Sequence, residues 1–212
     1  MTRSLASGSP ARSNPDPDRR RTLVQAAEEV FLREGYAAAS MDEVARTAGM
    51  SKKTLYQLFP SKEALFEAVI EELSDFHEAI GEEVQDGHAA LGAVLERMVH
   101  EVLQPRHIGM LRLIAAEVNR APELAYAVRR GTAGRVLSAL DRWILVQAEA
   151  GKLRVENTSE AAGMLFGMAL GELHVQVLLG LRRPPSRATI ARRVRSAVAT
   201  FLNGAAVRSD RG

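Results

Sequence analysis

The sequence predicts an all-α protein, and three observations support this fold class. Apolar residues recur with a period of about 3.6 residues, whereas the alternation typical of strands is scarce. Between residues 20 and 100 proline occurs once, at Pro60. Serine, asparagine and glycine stand where helices of ordinary length would begin and end. We therefore expect an N-terminal three-helix domain followed by a larger C-terminal helical domain.

The composition is that of an ordinary globular protein. The chain has 212 residues, of which 46% are hydrophobic and 25% charged, near the average for such proteins. The absence of cysteine excludes disulfides and thiolate metal sites and fits a reducing cytoplasm. Residues 1–18 are rich in Ser, Pro, Asp and Arg and lack the apolar core of a signal peptide, so we predict a disordered arm there.

The N-terminal domain is predicted at residues 19–77. Its first helix carries an apolar stripe and stops at Gly35, which suits a left-handed C-cap. The second helix opens with a capping box, in which Ser40 and Glu43 would satisfy each other's backbone N–H groups.

The third helix is predicted to be about two turns long. Gly49 ends the helix before it, and Ser51 is a favourable N-cap. Pro60 separates it from a fourth helix that runs from about Lys62 to Phe76. A helix of two turns is not stable alone in water, so tertiary packing must hold it in place.

The C-terminal domain is predicted at residues 78–206, and the tail beyond it looks frayed. Its helices are expected at about 89–103, 107–119, 122–149, 158–180 and 186–204.

Residues 40–59 have the layout of a helix-turn-helix, with the recognition helix at 52–58. Winding the second helix at about 100° per residue separates two faces. The apolar face holds Leu55, Leu58 and Phe59 and must dock on the preceding helices. The opposite face is polar and must point outward.

The outward face suits a DNA major groove, which accepts one helix and displays hydrogen-bond donors and acceptors. Lysines at the helix start would reach guanine or phosphate, Gln57 an adenine edge and the Tyr56 hydroxyl a phosphate. Ser40 and Lys62 open neighbouring helices, whose N-termini would bind flanking phosphates. The alternative is that the lysines are merely solvated. The predicted DNA-binding residues are Ser40, Ser51, Lys52, Lys53, Thr54, Tyr56, Gln57 and Lys62.

Residues 19–77 resemble the N-terminal domain of TetR-family transcriptional regulators. The resemblance lies in Ser40, Ala45, Gly49-Met50-Ser51, Thr54-Leu55-Tyr56, Phe59 and Ser61-Lys62-Glu63-Ala64-Leu65. It implies the same helix-turn-helix at 40–59 and recognition helix at 52–58. Many members have His where this chain has Leu58, so no operator sequence follows from the resemblance.

The C-terminal stretches LRLIAAEVNRAPELAYAVRRG and EAGKLRVENTSEAAGMLFGMALGELHVQVLLG resemble regulators related to AcrR and AefR. The resemblance implies a C-terminal domain that dimerises and binds a small molecule. We therefore expect a repressor that a small-molecule effector releases from a palindromic operator. A non-specific architectural DNA-binding protein and a helical adaptor are the alternatives.

Two apolar stripes predict a homodimer interface. Gly163, Gly167 and Gly171 recur every four residues, and glycine inside a helix costs about 1 kcal/mol relative to alanine, so close approach of another helix is expected. The final helix carries a second stripe of Ile190, Val194, Val198 and Phe201. The alternatives are that both stripes complete the monomer core, or that the GxxxG-like run spans a membrane. Glu172, His174 and Gln176 inside the run oppose the membrane alternative.

A ligand pocket within the helical domain is predicted from large apolar residues, although such residues more often form plain core. The candidates are Met98, Met110, Leu111, Ile114, Trp143, Met164, Phe166 and Met168. Neither an HExxH pair, a GxSxG elbow nor a glycine-rich phosphate loop occurs in the sequence. We therefore predict no enzymatic activity, no cofactor and no metal. The predicted partners are double-stranded DNA, a second copy of the chain and a small-molecule effector.

Overall fold

The computed structural model describes residues 17–74 and 88–205, and within these ranges it contains ten helices and no strand. The predicted all-α fold class is confirmed. The helices are α1 Pro17–Glu34, α2 Met41–Thr47, α3 Lys52–Leu58, α4 Lys62–Ser74, α5 His88–Val102, α6 Pro105–Glu117, α7 Glu123–Arg130, α8 Thr132–Glu149, α9 Thr158–Leu178 and α10 Arg187–Ala205.

Two helix boundaries differ from the sequence prediction. Helix α1 begins at Pro17, inside the predicted disordered arm, because proline is well tolerated in a first helical turn. The rest of that arm lies outside the described residues, as do Phe76 and the predicted domain boundary at residue 78. The single helix expected at 122–149 is two helices, because Gly131 leaves helical geometry with φ −84° and ψ −124°.

The first hydrophobic core joins the N-terminal helices to two helices of the C-terminal part. Phe31 of α1 and Phe66 of α4 are fully buried, with ring centroids 5.5 Å apart in an edge-to-face arrangement. Met110 and Ile114 of α6 and Leu124 of α7 belong to the same buried cluster. The two predicted domains therefore share one core along α6 and α7.

The second core is a bundle of α5, α8, α9 and α10. It contains the apolar stripe of the last helix, Ile190, Val194, Val198 and Phe201, all of which are buried within the chain. The prediction that these four residues contact a second copy is therefore wrong. The stripe is covered by α5 and α9 of its own chain, as the monomer-core alternative had it.

Helix α9 combines a buried face with an exposed, glycine-rich face. Gly163 and Gly167 are exposed, and a Cβ at either position would meet no atom within 4 Å. Gly171 instead has torsions outside the helical range, φ 19° and ψ −120°, and marks a kink. Among the described helices, α9 alone has the length and apolarity of a membrane span. Its opposite face, which includes Leu165 and Leu173, is buried in the second core.

The turn between α1 and α2 is held by two charged side chains from opposite sides. The Glu117 carboxylate at the end of α6 accepts hydrogen bonds from the backbone N–H groups of Tyr36 (2.8 Å) and Ala37 (2.6 Å). The Lys62 ammonium at the start of α4 donates to the carbonyl oxygens of Tyr36 (2.8 Å), Ala37 (3.2 Å) and Ala39 (3.2 Å). We call this segment, residues 35–39 with Glu117 and Lys62, the clamped turn.

Gly35 is required at the clamped turn for two reasons. Its φ of +86° lies in the left-handed region, and a Cβ there would stand 2.6 Å from Oε1 of Glu117. We expect Gly35→Ala to lower the free energy of unfolding by at least about 1 kcal/mol, measured by urea denaturation.

The matched control is Gly92→Ala in α5, where a Cβ meets no atom within 4 Å. That change should leave stability the same or raise it by up to about 1 kcal/mol, because alanine is the better helix former. Equal stability of Gly35→Ala and the native chain would contradict the described geometry of the turn.

Candidate nucleic-acid interface and apolar cavity

The turn between α2 and α3 is fixed by backbone hydrogen bonds around Gly49. Met50 N–H donates to the Ala45 carbonyl (2.9 Å), and Gly49 N–H donates to the Arg46 carbonyl (3.1 Å). This pair of bonds is the Schellman motif, and it places Gly49 in the left-handed region with φ +65°. The motif sets the direction in which the chain enters α3.

Helix α3 is anchored by its apolar face. Leu55 is 0% exposed and Phe59, which follows the helix, is 3% exposed, while Leu58 is partly buried. At the start of the helix the Ser51 hydroxyl accepts a hydrogen bond from Thr54 N–H (3.1 Å), as the predicted N-cap requires. Packing and cap together hold a segment that is too short to be stable alone.

The opposite face of α3 points away from the protein, as predicted. Lys52, Lys53, Tyr56 and Gln57 are all exposed, and Tyr56 retains 50% of its accessible surface. The Lys52 ammonium contacts Asp42 at 2.5 Å in an exposed ion pair, which is weak because water screens both charges. Thr54 is partly buried, and its hydroxyl pairs with that of Ser51 (2.9 Å), so both side chains serve the cap.

The residues that open the neighbouring helices are engaged within the protein. The exposed Ser40 caps α2 by accepting from Glu43 N–H (3.1 Å). The capping box also predicts a bond from the Ser40 N–H to the Glu43 carboxylate. That carboxylate instead binds Arg33 (3.0 Å) and Arg46. The Lys62 side chain is partly buried in the clamped turn and 4.6 Å from the centre of the Tyr36 ring. Its ammonium therefore serves the fold, and only the backbone at the start of α4 remains for a phosphate.

A partly open cavity of about 270 Å³ lies where the two cores meet. Helices α4, α5, α6, α7 and α9 all contribute to its walls, which are mostly apolar. Four of the eight predicted pocket residues line it, namely Met110, Leu111, Ile114 and Phe166.

The other four pocket residues lie elsewhere. Met98 and Trp143 are buried in the second core, and Met168 packs against it from outside. Met164 is 57% exposed on the outer face of α9. The prediction was wrong for these residues because apolar character at helical spacing does not show which face of a helix borders an empty space.

Two histidines in the cavity wall were not predicted from the sequence. His107 of α6 and His174 of α9 both line the cavity. Burial lowers the pKa of both imidazoles below the ordinary value of 6.5, and for His107 a hydrogen bond to the Leu73 carbonyl opposes part of the effect. The signal was present for His174, a polar residue inside an apolar run.

The outer face of α9 carries exposed apolar side chains beside its glycines. Met164 and Val175 of α9 and the C-cap residue Leu179 are each more than half exposed, and Gly163 and Gly167 are exposed as well. We call these five residues the α9 face. Large exposed apolar patches on soluble proteins mark association surfaces.

Two family profiles match the chain. The profile described as "AefR-like transcriptional repressor, C-terminal domain" matches residues 89–204, which is more than half of the chain. The profile described as "Bacterial regulatory proteins, tetR family" matches residues 23–69, which contain the clamped turn, α2 and α3.

Individual relatives agree with these profiles. The transcriptional activator FasR of Mycolicibacterium smegmatis is 51% identical over 61 residues, 29% of this chain and 28% of FasR, so the chain matches little more than a quarter of that relative. A structure described as a TetR-family transcriptional regulator from Mesorhizobium loti is 26% identical with a TM-score of 0.78, over 90% of this chain and 98% of the other. The structure of the flavonoid-responsive regulator FrrA is 28% identical with a TM-score of 0.74, over 92% of this chain and 100% of FrrA.

The exposed face of α3 gives a prediction for DNA binding. Lys53→Met keeps the aliphatic stem of an exposed side chain and removes its charge. If Lys53 contacts a phosphate, the slope of log K against log salt concentration should become shallower by about 1. Fluorescence anisotropy of labelled duplex over a range of salt concentrations measures this slope.

The control is Lys152→Met, the same change at an exposed lysine in the loop between α8 and α9. It should leave the slope unchanged. Equal slopes for both variants and the native chain would contradict a phosphate contact at Lys53.

The two partly buried histidines of the cavity wall give a prediction for the dependence of stability on pH. Because their pKa values are lowered on folding, the unfolded chain binds more protons just below about pH 6.5, and acid favours unfolding there. Their contribution is fully present above about pH 6.5 and is lost as the pH falls below that value through the lowered pKa of each folded-state imidazole. In urea denaturation, the midpoint concentration of urea should therefore fall as the pH is lowered. His107→Phe should make the midpoint depend less steeply on pH. His100→Phe on α5 is the control, and an equal effect of both changes would contradict the assignment.

Proposed function

The chain is a member of the TetR family of DNA-binding transcriptional regulators, and from this premise we propose that it is a repressor released from a palindromic operator by a small-molecule effector. The observation that carries the proposal is the outward polar face of α3 on a buried apolar seat. Such a helix fits a major groove, where its side chains meet base edges and phosphates. Lys52, Lys53, Tyr56 and Gln57 are the proposed contacts, and the caps at Ser40 and Ser51 position them.

We propose that two copies of the chain form a homodimer through the α9 face. Glycine at 163 and 167 allows close approach of a second helix, and the exposed Met164, Val175 and Leu179 supply apolar surface that association would bury. A two-fold dimer would place two copies of α3 about 34 Å apart, one turn of DNA, and would therefore require a palindromic site.

The cavity is proposed to bind the effector, and the clamped turn to transmit its effect. Met110 and Ile114 of α6 line the cavity, and Glu117 lies at the end of the same helix. Leu73 of α4 also lines it, and Lys62 begins that helix. Both helices thus connect the cavity to the segment that leads into α2, so a ligand that shifts α4 or α6 would change the placement of α3. The relative FrrA is described as flavonoid-responsive, which supports a small-molecule effector.

Selection of bound sequences from random duplex DNA by the purified full-length protein tests the proposal. We expect enrichment of a palindromic motif, which the variant Tyr56→Ala should bind more weakly. Equal retention of all sequences would instead indicate an architectural protein, and the absence of salt-dependent binding would indicate a helical adaptor. Either outcome would overturn the proposal.

The direction of regulation is tested separately, because the C-terminal profile describes a repressor and FasR is described as an activator. A reporter gene placed behind the selected motif in bacterial cells should show lower expression when the protein is present, as expected of a cytoplasmic repressor. Higher expression would contradict repression.

The dimer proposal predicts that a bulky charge on the α9 face separates the two copies. Gly167→Arg should fold, because position 167 is exposed with no atom within 4 Å of an added Cβ. It should halve the molar mass measured by light scattering and abolish tight binding to the palindrome. The control Ala125→Arg, at an exposed position on α7, should remain dimeric. A dimeric Gly167→Arg would place the interface elsewhere.

A further inference from the structure

The wall of the cavity carries no formal charge among the residues that the structure describes. Nine of the eleven lining side chains are hydrocarbon or thioether groups, and the other two belong to His107 and His174. Burial lowers the pKa of both imidazoles below the ordinary value of 6.5, so both rings are neutral near pH 7. A ligand enclosed by this wall therefore meets no opposite charge.

The two arginines that flank the wall residues on α6 are bound elsewhere. The Arg106 guanidinium pairs with the Glu28 carboxylate of α1 through Nε (3.1 Å) and Nη2 (2.9 Å). Arg112 donates from Nε to the carbonyl oxygen of Leu178 (2.7 Å) and from Nη2 to that of Val177 (2.9 Å), at the end of α9. Neither arginine is among the described residues that line the cavity. An anionic ligand would therefore find no cation in the described wall, although two stand beside wall residues in the sequence.

A charged ligand is disfavoured by such a wall, whatever its sign. A charge that enters an apolar site loses its hydration, and without a partner it gains nothing in return. An uncharged apolar molecule is instead stabilised there, because both the molecule and the wall remove apolar surface from water. The described wall therefore selects for the absence of charge.

The volume of the cavity limits the size of its ligand. An apolar cavity of about 150 Å³ inside a protein binds benzene, and this cavity has a volume of about 270 Å³. The larger volume corresponds to roughly two fused six-membered rings with a small substituent. Phe166 offers an aromatic ring to such a molecule, and Met110 offers a flexible thioether that adapts to its shape.

We propose that the cavity binds an uncharged, largely apolar molecule about the size of two fused aromatic rings, and that it excludes acids and amines of the same size. The inference rests on the effector cavity of the proposed function and names the chemical class of its ligand.

Three probes that share a naphthalene ring test the charge preference, by titration calorimetry on the full-length protein near pH 7. 2-Naphthylmethanol is uncharged, 2-naphthoate carries a negative charge and 2-naphthylmethylammonium carries a positive charge. We expect the alcohol to bind at least about tenfold more tightly than either ion. Binding of either ion as tightly as the alcohol would overturn the proposal.

The size limit is tested with a one-ring and a three-ring alcohol, benzyl alcohol and 2-anthracenylmethanol. Benzyl alcohol should bind more weakly than 2-naphthylmethanol, because it buries less apolar surface. The three-ring alcohol should bind no more tightly than the two-ring alcohol, because the cavity has no room for the third ring. Affinity that rises again with the third ring would overturn the proposed size.

Leu111→Glu adds a carboxylate to the wall and tests whether the probes bind there. Leu111 is only partly buried, so this position tolerates a charge better than the fully buried wall positions do. The variant should bind 2-naphthylmethylammonium more tightly than the native chain does, and 2-naphthoate more weakly. The uncharged isostere Leu111→Gln is the matched control and should keep the native order of the three probes. An unchanged affinity ratio of the two ions in Leu111→Glu would overturn the proposal.

Methyl NMR of the native protein locates the site without any substitution. Met110 lines the cavity and is 2% exposed, whereas Met164 is 57% exposed on the outer face of α9. Saturating 2-naphthylmethanol should shift the methyl resonance of Met110 and leave that of Met164 in place. A shift at Met164 alone, or no shift at saturation, would overturn the proposal.

Failure here is distinguishable from failure of the proposed function. A protein that selects a palindrome but shows no preference for the uncharged probe retains its function and loses only this ligand class. A protein that prefers 2-naphthylmethanol but holds its DNA equally tightly with and without it supports the ligand class and contradicts effector release.

Discussion

The placement of α3, the proposed DNA-recognition helix, depends on the clamped turn. Residues 35–40 join α1 to α2, and the backbone of this segment is bound by two charged side chains, Glu117 at N–H groups and Lys62 at carbonyl oxygens. Hydrogen bonds to charged groups contribute about 1.5–3 kcal/mol each, roughly twice the value for neutral pairs. Because Glu117 ends α6 and Lys62 begins α4, a shift of either helix would move the turn.

The first core joins the seat of α3 to the wall of the cavity, two features that lie far apart in the sequence. Helix α3 is too short to hold itself, so its outward face exists only because Leu55 and Phe59 are seated on the first core. That core includes Met110 and Ile114, which also line the cavity. A molecule in the cavity therefore touches residues of the same core that seats α3. Differential binding of a ligand to two arrangements of this core is the form that effector release would take.

Local signals in the sequence were sufficient to predict the helix-turn-helix. Ser40, Gly49 and Ser51 act through neighbours no more than five residues away, so their roles could be predicted without a fold. Roles that depend on distant partners could not be predicted. Glu117 lies 81 residues from Tyr36, and Lys62 resembles any other surface lysine until its three carbonyl partners are seen. The stripe on α10 correctly indicated burial, but an amphipathic pattern does not show whether its own chain or a second copy covers it.

The clearest test of this account is hydrogen exchange at Tyr36 and Ala37 in Glu117→Gln. Glutamine keeps the shape of the side chain but removes its charge and turns one acceptor into a donor, so at least one of the two N–H groups loses its partner. We predict that exchange of these two amides accelerates by about ten- to a hundredfold, the equivalent of about 1.5–3 kcal/mol. Glu149→Gln, an exposed carboxylate at the end of α8, should leave both rates unchanged. Native rates at Tyr36 and Ala37 in Glu117→Gln would contradict the account.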